Sequence, residues 1–413
     1  ESMRRKDPRL GDKPISIGVW LGSSTTPNSK EKAVEKFRKA GKGNDSDGNP
    51  FLVSRCPSCG AQMGFGKKIG WVGVQENKTT KSVIFVCPDR KCEFSYESKP
   101  LPIFVIDDEV YENRPTFVLA TVDKFARLAW VPEARAIFNL DAKGERQGLP
   151  PALIIQDELH LISGPLGSMV GLYEPVIQEL ASYIKDGKKI GPKVVASTAT
   201  TRKYEEQIRA LYGNHPVTLF PQAITRANET YFSSIEREPD GSPSKGTLYV
   251  GLNPATFSDT QMAASRVAAA LAQAPSCWSG DAESMDFYQT SMWFFNSLKD
   301  LGMTLTLFDS VVKDVISGMA KYRRLAPGKP RPVWPIKELT GRIEASEVAD
   351  SLTELAKHSW DEGFIRTCLA SSIMEVGVDV QRLGLLTIMG QPKSTSQYIQ
   401  VSGRVGRARD AGP

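Results

Sequence analysis

Two adjacent carboxylates, Asp157 and Glu158, follow the apolar run Ala152 to Ile155, and His160 comes two positions later. An apolar run of this length predicts a strand that is buried on both faces, as in a parallel sheet. Acidic side chains at the carboxyl end of such a strand lie where open α/β sheets hold their ligands. One carboxylate there can hold Mg²⁺ on a nucleotide, and the next can orient an attacking water. A buried strand that ends in a charged turn would give the same pattern.

Four of the six cysteines form two close pairs, Cys56 with Cys59 and Cys87 with Cys92. Two such pairs can present four thiolates tetrahedrally to Zn²⁺, although the spacing of the second pair is looser than usual. The alternative is four unrelated free cysteines. Because four protein ligands leave no position for a water, the pattern predicts a structural zinc ribbon over residues 51–98. Six cysteines in 413 residues are too few for a secreted disulfide scaffold.

Two arginines near the carboxyl end, Arg404 and Arg407, are three residues apart and would share a face of the helix predicted over residues 394–408. Guanidinium groups pair with phosphate oxygens, and an arginine at a γ-phosphate stabilises the charge that develops in phosphoryl transfer. A basic surface helix is the alternative. It would not explain Gly403 and Gly406, because glycine destabilises a helix interior.

Strands alternate with helices along most of the chain, which predicts α/β domains with largely parallel sheets. A polar, turn-rich stretch at 221–246 suggests a boundary between domains at 1–225 and 226–413. The predicted strands are 15–21, 117–122, 152–158, 193–199, 247–252, 291–296, 364–370 and 384–389. The predicted helices are 30–40, one that opens at 123–128, 171–184, 204–212, 259–273, 346–358 and 394–408.

The composition is that of an ordinary globular protein, with 40% hydrophobic and 24% charged residues. The net charge of +5 permits a polyanionic partner but does not require one. No apolar run of about 18 residues and no signal-peptide pattern are present, so a cytoplasmic location without a membrane is expected. The basic, proline-broken stretch at 321–332 is typical of a solvated loop, although it could contact phosphates.

Six segments, in order along the chain, resemble the motifs of superfamily 2 helicases. Asp157-Glu158-Leu159-His160 is similar to motif II of the DExH type, and the segment from Gln400 to Arg407 is similar to motif VI. The segments between them and before them also match, namely 120–125 (the DNA-contact motif of the first domain), 198–200 (motif III), 293–297 (motif IV) and 370–379 (motif V). Within the superfamily, the run 156–168 together with the zinc ribbon resembles the DrmA-type helicases of the DISARM antiphage defence system.

The resemblance implies two RecA-like domains with ATP between them, a nucleic-acid strand across both, and a zinc ribbon inserted in the first. It implies that Asp157 holds Mg²⁺ and Glu158 activates water. The other implied roles are coupling (His160, Thr198 and Thr200), nucleotide binding (Gly377, Asp379, Gln400 and Gly403), arginine fingers (Arg404 and Arg407) and phosphate contacts (Thr121, Lys124, Lys393 and Gln397). Such phosphate contacts hold single-stranded or duplex DNA without reading its sequence.

One motif of this family is missing, because no Gly-x-x-x-x-Gly-Lys-Thr/Ser occurs anywhere in the sequence. We therefore expect the chain to begin after motif I and to stop after motif VI, and its parent protein to supply the phosphate loop. The prediction is a fragment of an ATP-dependent DNA helicase or translocase of antiphage defence, inactive alone.

Two other functions stay open at this point. A non-catalytic nucleic-acid-binding scaffold could keep this fold without the phosphate loop, and an RNA-directed helicase would show the same motifs. The partnership with other defence-system subunits also stays open. The zinc ribbon could either stabilise the fold or act as a module that clamps DNA or binds a partner.

Overall fold

Parallel strands form the centre of both halves of the chain. The computed structural model describes residues 4, 6–11, 13–23, 25–41, 49–66, 69–198, 203–213, 215–222, 224–225, 229–244, 246–257, 259–321, 330–343, 345–371 and 379–408. The chain divides into two units, Glu1–Val217 (unit 1) and Thr218–Pro413 (unit 2). The predicted α/β class with parallel sheets is confirmed. The predicted domain boundary lies after residue 225, and the units divide after Val217.

Unit 1 contains two short parallel sheets, with strand order β6-β1-β7 in one and β11-β8 in the other. The strands are β1 Ile17–Trp20, β2 Gly64–Gly66, β3 Gly70–Val72, β4 Val74–Asn77, β5 Ser82–Phe85, β6 Ile103–Phe104, β7 Phe117–Ala120, β8 Leu153–Gln156, β9 Tyr183–Lys185, β10 Lys188–Ile190 and β11 Lys193–Ala196. The α-helices are α1 Lys30–Gly41, α2 Asp107–Asn113, α3 Gly164–Leu180 and α4 Tyr204–Tyr212. The predicted helix after β7 is a 3-10 helix, Val122–Ala129.

Strand β8 is covered on only one face by the described part of unit 1. Ile154 of β8 packs in one core with Val118 of β7 and Ile177 of α3. On the opposite face, Leu153 is 50% exposed and Ile155 is 59% exposed. The prediction that this strand is buried on both faces is therefore wrong for the described residues, because none of them covers the second face.

The predicted insert at 51–98 folds as two short antiparallel hairpins, β2 with β3 and β4 with β5, joined to loops that carry the cysteines. Phe51, Phe85 and Cys87 are buried in a single core that also contains Ala33 of α1. The insert therefore packs against α1 of unit 1, and its cysteine loops are part of that core.

Unit 2 has one four-stranded parallel sheet with strand order β13-β14-β12-β15. Its strands are β12 Ser291–Phe295, β13 Ile336–Leu339, β14 Thr367–Ala370 and β15 Leu385–Met389. Its α-helices are α5 Thr260–Gln273, α6 Ala282–Asp286, α7 Leu298–Leu307, α8 Lys313–Lys321, α9 Ala345–Leu355 and α10 Thr395–Ser402.

The central strand β12 is buried at all five positions. Phe294 packs on one face in a core with Val401 of α10, and Trp293 packs on the other face in a core with Ala268 of α5. This strand therefore has the two covered faces that a parallel sheet requires.

Two predicted elements of unit 2 differ from the structure. Residues 247–252 form no strand, since they pair with no other strand and Leu248 is exposed. The last helix ends at Ser402 instead of residue 408, because Gly403 caps it and Gly406 adopts a φ of 66°. Arg404 and Arg407 therefore do not share a helix face. Among the described residues, no helix has the length and apolar character needed to cross a membrane.

Candidate functional site

The carboxylate of Asp157 lies at the carboxyl end of β8, beside the end of the parallel strand β11. The register pairs Ala196 with Gln156, so Ser197 stands opposite Asp157. The Ser197 hydroxyl and the Glu158 amide, the latter at 2.9 Å, both donate to Oδ1 of Asp157. The other oxygen, Oδ2, has no hydrogen-bond partner among the described residues, and the side chain is exposed. A carboxylate held in this way suits a hard cation such as Mg²⁺.

Glu158 adopts the left-handed backbone conformation, with φ 52° and ψ 46°. A non-glycine residue in this region is strained, and such strain concentrates at functional sites. The turn is held on both sides, because the amide of Leu159 donates to the carbonyl of Ser197 at 2.8 Å. The side-chain amide of Gln207 in α4 also donates to the carbonyls of Leu159 and Ile162, each at 2.8 Å.

His160 connects the two predicted motifs of unit 1. Its Nδ1 atom lies 3.5 Å from Oγ1 of Thr198 and 3.4 Å from Oε2 of Glu158. The imidazole is nearly buried, so its contacts with these two side chains hold it in place. Thr200, the other predicted coupling residue, lies outside the described residues.

In unit 2, the predicted residues Asp379 and Arg407 are in contact. Nη1 of Arg407 donates to Oδ1 of Asp379 at 2.8 Å, and Nε of Arg407 donates to the carbonyl of Gly403 at 2.8 Å. The left-handed Gly406 makes this approach possible, and its amide donates to the carbonyl of Leu383 at 2.7 Å. The predicted residue Gly377 lies outside the described residues.

The remaining predicted residues of unit 2 lie on or beside α10. The side chain of Gln397 accepts a hydrogen bond from the amide of Lys393 at 2.8 Å, and Lys393 is exposed. Gln400 and Arg404 are partly buried. Gly403 is the helix cap, and a Cβ atom there would lie 3.1 Å from the carbonyl oxygen of Ile399.

Lys124 does not fit the predicted phosphate contact, because its ammonium group lies in the core of unit 1. Its side chain is 3% exposed, and Nζ lies 2.8 Å from Oδ2 of the equally buried Asp107. Nζ also donates to the carbonyl of Leu21. Burial raises the pKa of Asp107, and the ammonium group of Lys124 opposes that rise. Thr121, the neighbouring candidate, is exposed.

The four predicted zinc ligands come together in the insert. The sulfur atoms of Cys56, Cys59, Cys87 and Cys92 all lie within 4.8 Å of one another, with Sγ···Sγ distances of 3.9 Å for Cys56–Cys92 and 3.4 Å for Cys59–Cys87. Four thiolates at the usual Zn–S distance of about 2.3 Å are about 3.8 Å apart. Burial raises the pKa of Cys56 and Cys87. This cluster could hold zinc, since its donor set and spacing fit the ion.

The carboxyl-terminal part of the chain matches a known family. Residues 317–409 match the model of the helicase conserved C-terminal domain. Over 451 aligned positions the chain is 32% identical to the DISARM protein DrmA of Bacillus paralicheniformis, and the alignment covers 99% of this chain. The chain therefore contains a region similar to the helicase conserved C-terminal domain. It spans about two fifths of the length of DrmA, since the alignment covers 38% of that protein.

Solved helicase structures resemble the chain more distantly. The helicase Lhr of Mycobacterium smegmatis, bound to single-stranded DNA and AMP-PNP, is 15% identical with a TM-score of 0.42, and the match covers 73% of this chain and 31% of Lhr. The helicase MrfA bound to DNA is 16% identical with a TM-score of 0.45, and the match covers 73% of this chain and 33% of MrfA.

Sequence reasoning missed Ser197 and Gln207, which contact the motif II turn of this helicase-related chain. Ser197 could have been found from strand pairing, because it follows a strand that lies parallel to β8 and ends at the same edge. Gln207 lies on α4 and gave no such signal, since a glutamine in a helix is ordinarily a surface residue.

Proposed function

We propose that the chain is part of an ATP-dependent DNA helicase or translocase that acts in the cytoplasm in bacterial antiphage defence. The observation that supports this most is the contact between His160 and Thr198. These residues belong to segments that resemble motifs II and III, and they meet at the carboxyl ends of adjacent parallel strands. Open α/β sheets bind their ligands at this edge.

The carboxylates of unit 1 have separate roles in this proposal. Asp157 would hold Mg²⁺ through its exposed carboxylate oxygen, and Glu158 would accept the proton of the attacking water. ATP supplies the phosphoanhydride bond whose hydrolysis drives movement. Ser197 holds the carboxylate of Asp157 in one orientation. His160 couples the conformation of the Glu158 turn to the position of Thr198. These roles agree with three side-chain contacts, those of Ser197 with Asp157, of His160 with Thr198 and of His160 with Glu158.

The arginines of unit 2 supply positive charge to the transferred phosphoryl group, with Arg404 and Arg407 as the fingers. Asp379 positions Arg407, because its carboxylate pairs with the guanidinium group at 2.8 Å. Backbone phosphates of the DNA are held by Thr121 in the first domain and by Lys393 and Gln397 in the second. Lys124 has no part in this contact, since it is buried in an ion pair with Asp107.

We also propose that residues 1–225, which include unit 1, form a RecA-like domain that becomes complete with a phosphate loop from the parent protein. The uncovered face of β8 supports this, since Leu153 and Ile155 are half exposed there. Strand β8 has only β11 as a described neighbour, so its other edge can accept a further strand. A strand and helix that carry a phosphate loop would supply both the neighbour and the cover. Residues 226–413 would then form the second RecA-like domain.

The cysteine cluster would hold one structural Zn²⁺ in a zinc ribbon. All four positions of the tetrahedron are thiolates, so no water remains on the metal for catalysis. The ion would fix the two cysteine loops to the core that the insert shares with α1.

The test is ATP hydrolysis by the full-length product of the gene, measured alone and with single-stranded DNA, duplex DNA and RNA. Stimulation by DNA supports the proposal, whereas stimulation by RNA alone supports the RNA-directed alternative. Nucleic-acid binding without hydrolysis in any of these conditions would support the non-catalytic scaffold. The sequence upstream of residue 1 in the gene gives a second check, because a motor requires a Gly-Lys-Thr/Ser loop there.

A further inference from the structure

A small cleft in unit 2 lies at the opposite edge of its sheet from the predicted motifs. Ser291 and Thr367, the first residues of β12 and β14, contribute to its lining. The predicted motifs follow the other ends of these strands. At about 3.3 Å per residue, the two edges of the five-residue strand β12 are about 13 Å apart. The cleft is therefore separate from the site described above.

Two arginines, Arg331 and Arg366, line this cleft, and both are partly buried. Burial lowers the pKa of both guanidinium groups, and the charge of Arg366 lowers the pKa of Arg331 further. Both arginines line the same partly desolvated cleft, where two like charges disfavour each other. Such an arrangement is unfavourable unless a negative charge offsets it.

No carboxylate of the described residues forms an ion pair with Arg331 or Arg366. Within the described part of the chain Arg331 donates to neutral groups, since its Nη2 atom donates to the side-chain carbonyl of Gln289 and its backbone amide to that of Gln273. The guanidinium group of Arg366 donates no hydrogen bond within the described residues, and its central carbon lies 5.5 Å from the ring centre of Phe364. The sequence 322–329, which precedes this part of the chain, contains no acidic residue.

Another buried arginine of the same unit shows the usual arrangement. Arg382 is 3.8 Å from the carboxylate of Asp286, and it also donates to the carbonyl of Leu355 at 2.8 Å and to the hydroxyl of Thr290. Unit 2 thus gives Arg382 an acid and two oxygen acceptors. The contrast indicates that the acceptor for Arg331 and Arg366 comes from outside the fold.

We propose that this cleft binds a phosphate dianion, either free phosphate or the phosphate group of a small monoester. Two guanidinium groups match a dianion in charge, and their forked donors match its oxygens. The hydroxyl of Ser291 accepts from the indole of Trp293 at 2.8 Å, so its own proton is available for the ligand. Ala268, Leu271 and Phe308 give the cleft an apolar wall, which suits the organic part of a monoester.

The experiment is calorimetric titration of the protein with inorganic phosphate and with phenyl phosphate, at constant ionic strength set by chloride. Binding of either ligand is expected, and Arg366→Met should weaken it at least tenfold. The matched control is Arg342→Met, which removes an exposed arginine of the same unit and should leave the affinity unchanged. Tighter binding of phenyl phosphate identifies a monoester as the natural class, and equal binding identifies free phosphate.

Two further variants distinguish loss of the phosphate site from misfolding and from loss of the proposed ATPase site. Arg331→Gln should also weaken phosphate binding, which covers the case in which Arg366→Met fails to fold. Glu158→Gln should leave phosphate binding unchanged, so the cleft and the proposed ATPase can fail independently. The proposal is overturned if neither ligand binds, or if the arginine variants of the cleft bind phosphate as tightly as Arg342→Met does.

Discussion

The parallel strands of the two units come from similar apolar runs but have different surroundings. In unit 2, all five residues of β12 are buried between helices on two sides. In unit 1, β8 alternates between half-buried and exposed positions, and Ile155 is 59% exposed. A run of isoleucine and leucine therefore shows only that both faces of a strand can be buried. Whether both faces are buried depends on the segments that pack against the strand.

The same contrast explains why unit 1 carries its predicted chemistry at an exposed edge. Asp157 is exposed beside an uncovered strand face, whereas Arg407 of unit 2, which is also exposed, is already paired with Asp379. A unit with an open face and an open strand edge is the one that a further segment would complete. We therefore expect the stability of unit 1 to depend more than that of unit 2 on a bound metal ion or on a further segment of the chain.

The largest expected effect is removal of metal from unit 1. A structural zinc contributes about 10 kcal/mol or more to the folding of small zinc modules, so a strong chelator should unfold the insert at 51–98 and leave unit 2 folded. Metal analysis of freshly purified protein should give about one zinc per chain, and Cys87→Ser should lose it.

The matched control for this metal prediction is Cys277→Ser, which changes an exposed cysteine of unit 2 and should retain the metal. A zinc content near zero in the freshly purified protein would reject the site.

A pair of truncations tests the contrast between the strands directly. Phe294→Ala should lower the free energy of unfolding of unit 2 by about 3–5 kcal/mol, because it leaves a cavity in a closed core. Ile155→Ala should lower that of unit 1 by less than about 1 kcal/mol, since much of the side chain is already in water. Denaturant titration monitored separately for each unit measures both values. Equal losses would contradict the difference in burial.

A smaller effect should come from Glu174 of α3, whose carboxyl group is buried and, among the described residues, accepts a hydrogen bond from the side-chain amide of Gln178 at 3.4 Å. Burial raises its pKa from 4.5 to about 7. The folded state therefore holds a proton that the unfolded state has released between these values. The free energy of unfolding of unit 1 should fall as the pH rises from 4.5 to 7, by about 3 kcal/mol from this group.

Thermal unfolding across that pH range measures the contribution of Glu174. Glu174→Gln should flatten the dependence, while Glu133→Gln, at an exposed position, should leave it as in the parent chain. An identical slope in both variants would show that other carboxyl groups cause it.

Much of the architecture was predictable because it depends on local pattern. Helix α4 has the predicted bounds, and the parallel direction of the strands followed from strand–helix alternation. The cysteine pairs met as predicted because two short turns leave few ways to arrange four thiols. The bounds of α4 and the turn at each cysteine pair are determined by residues that are close in sequence.

The features that were not predictable depend on distant neighbours. Lys124 lies in a motif-like segment, yet it is buried against Asp107, and nothing in the spacing of either residue indicates the pair. The turn at Gly406 follows from a hydrogen bond to Leu383, so the predicted helix over Arg404 and Arg407 ended early. The uncovered face of β8 is a property of the whole unit.

The most direct test of the proposed function is the rate of DNA-stimulated ATP hydrolysis by the full-length gene product with Glu158→Gln. If Glu158 accepts the proton of the attacking water, the rate should fall by a factor of at least about 100, within the range for loss of a general base. Glu133→Gln serves as the control and should keep full activity. Full activity in the Glu158→Gln protein would contradict the assignment of the motif II carboxylates.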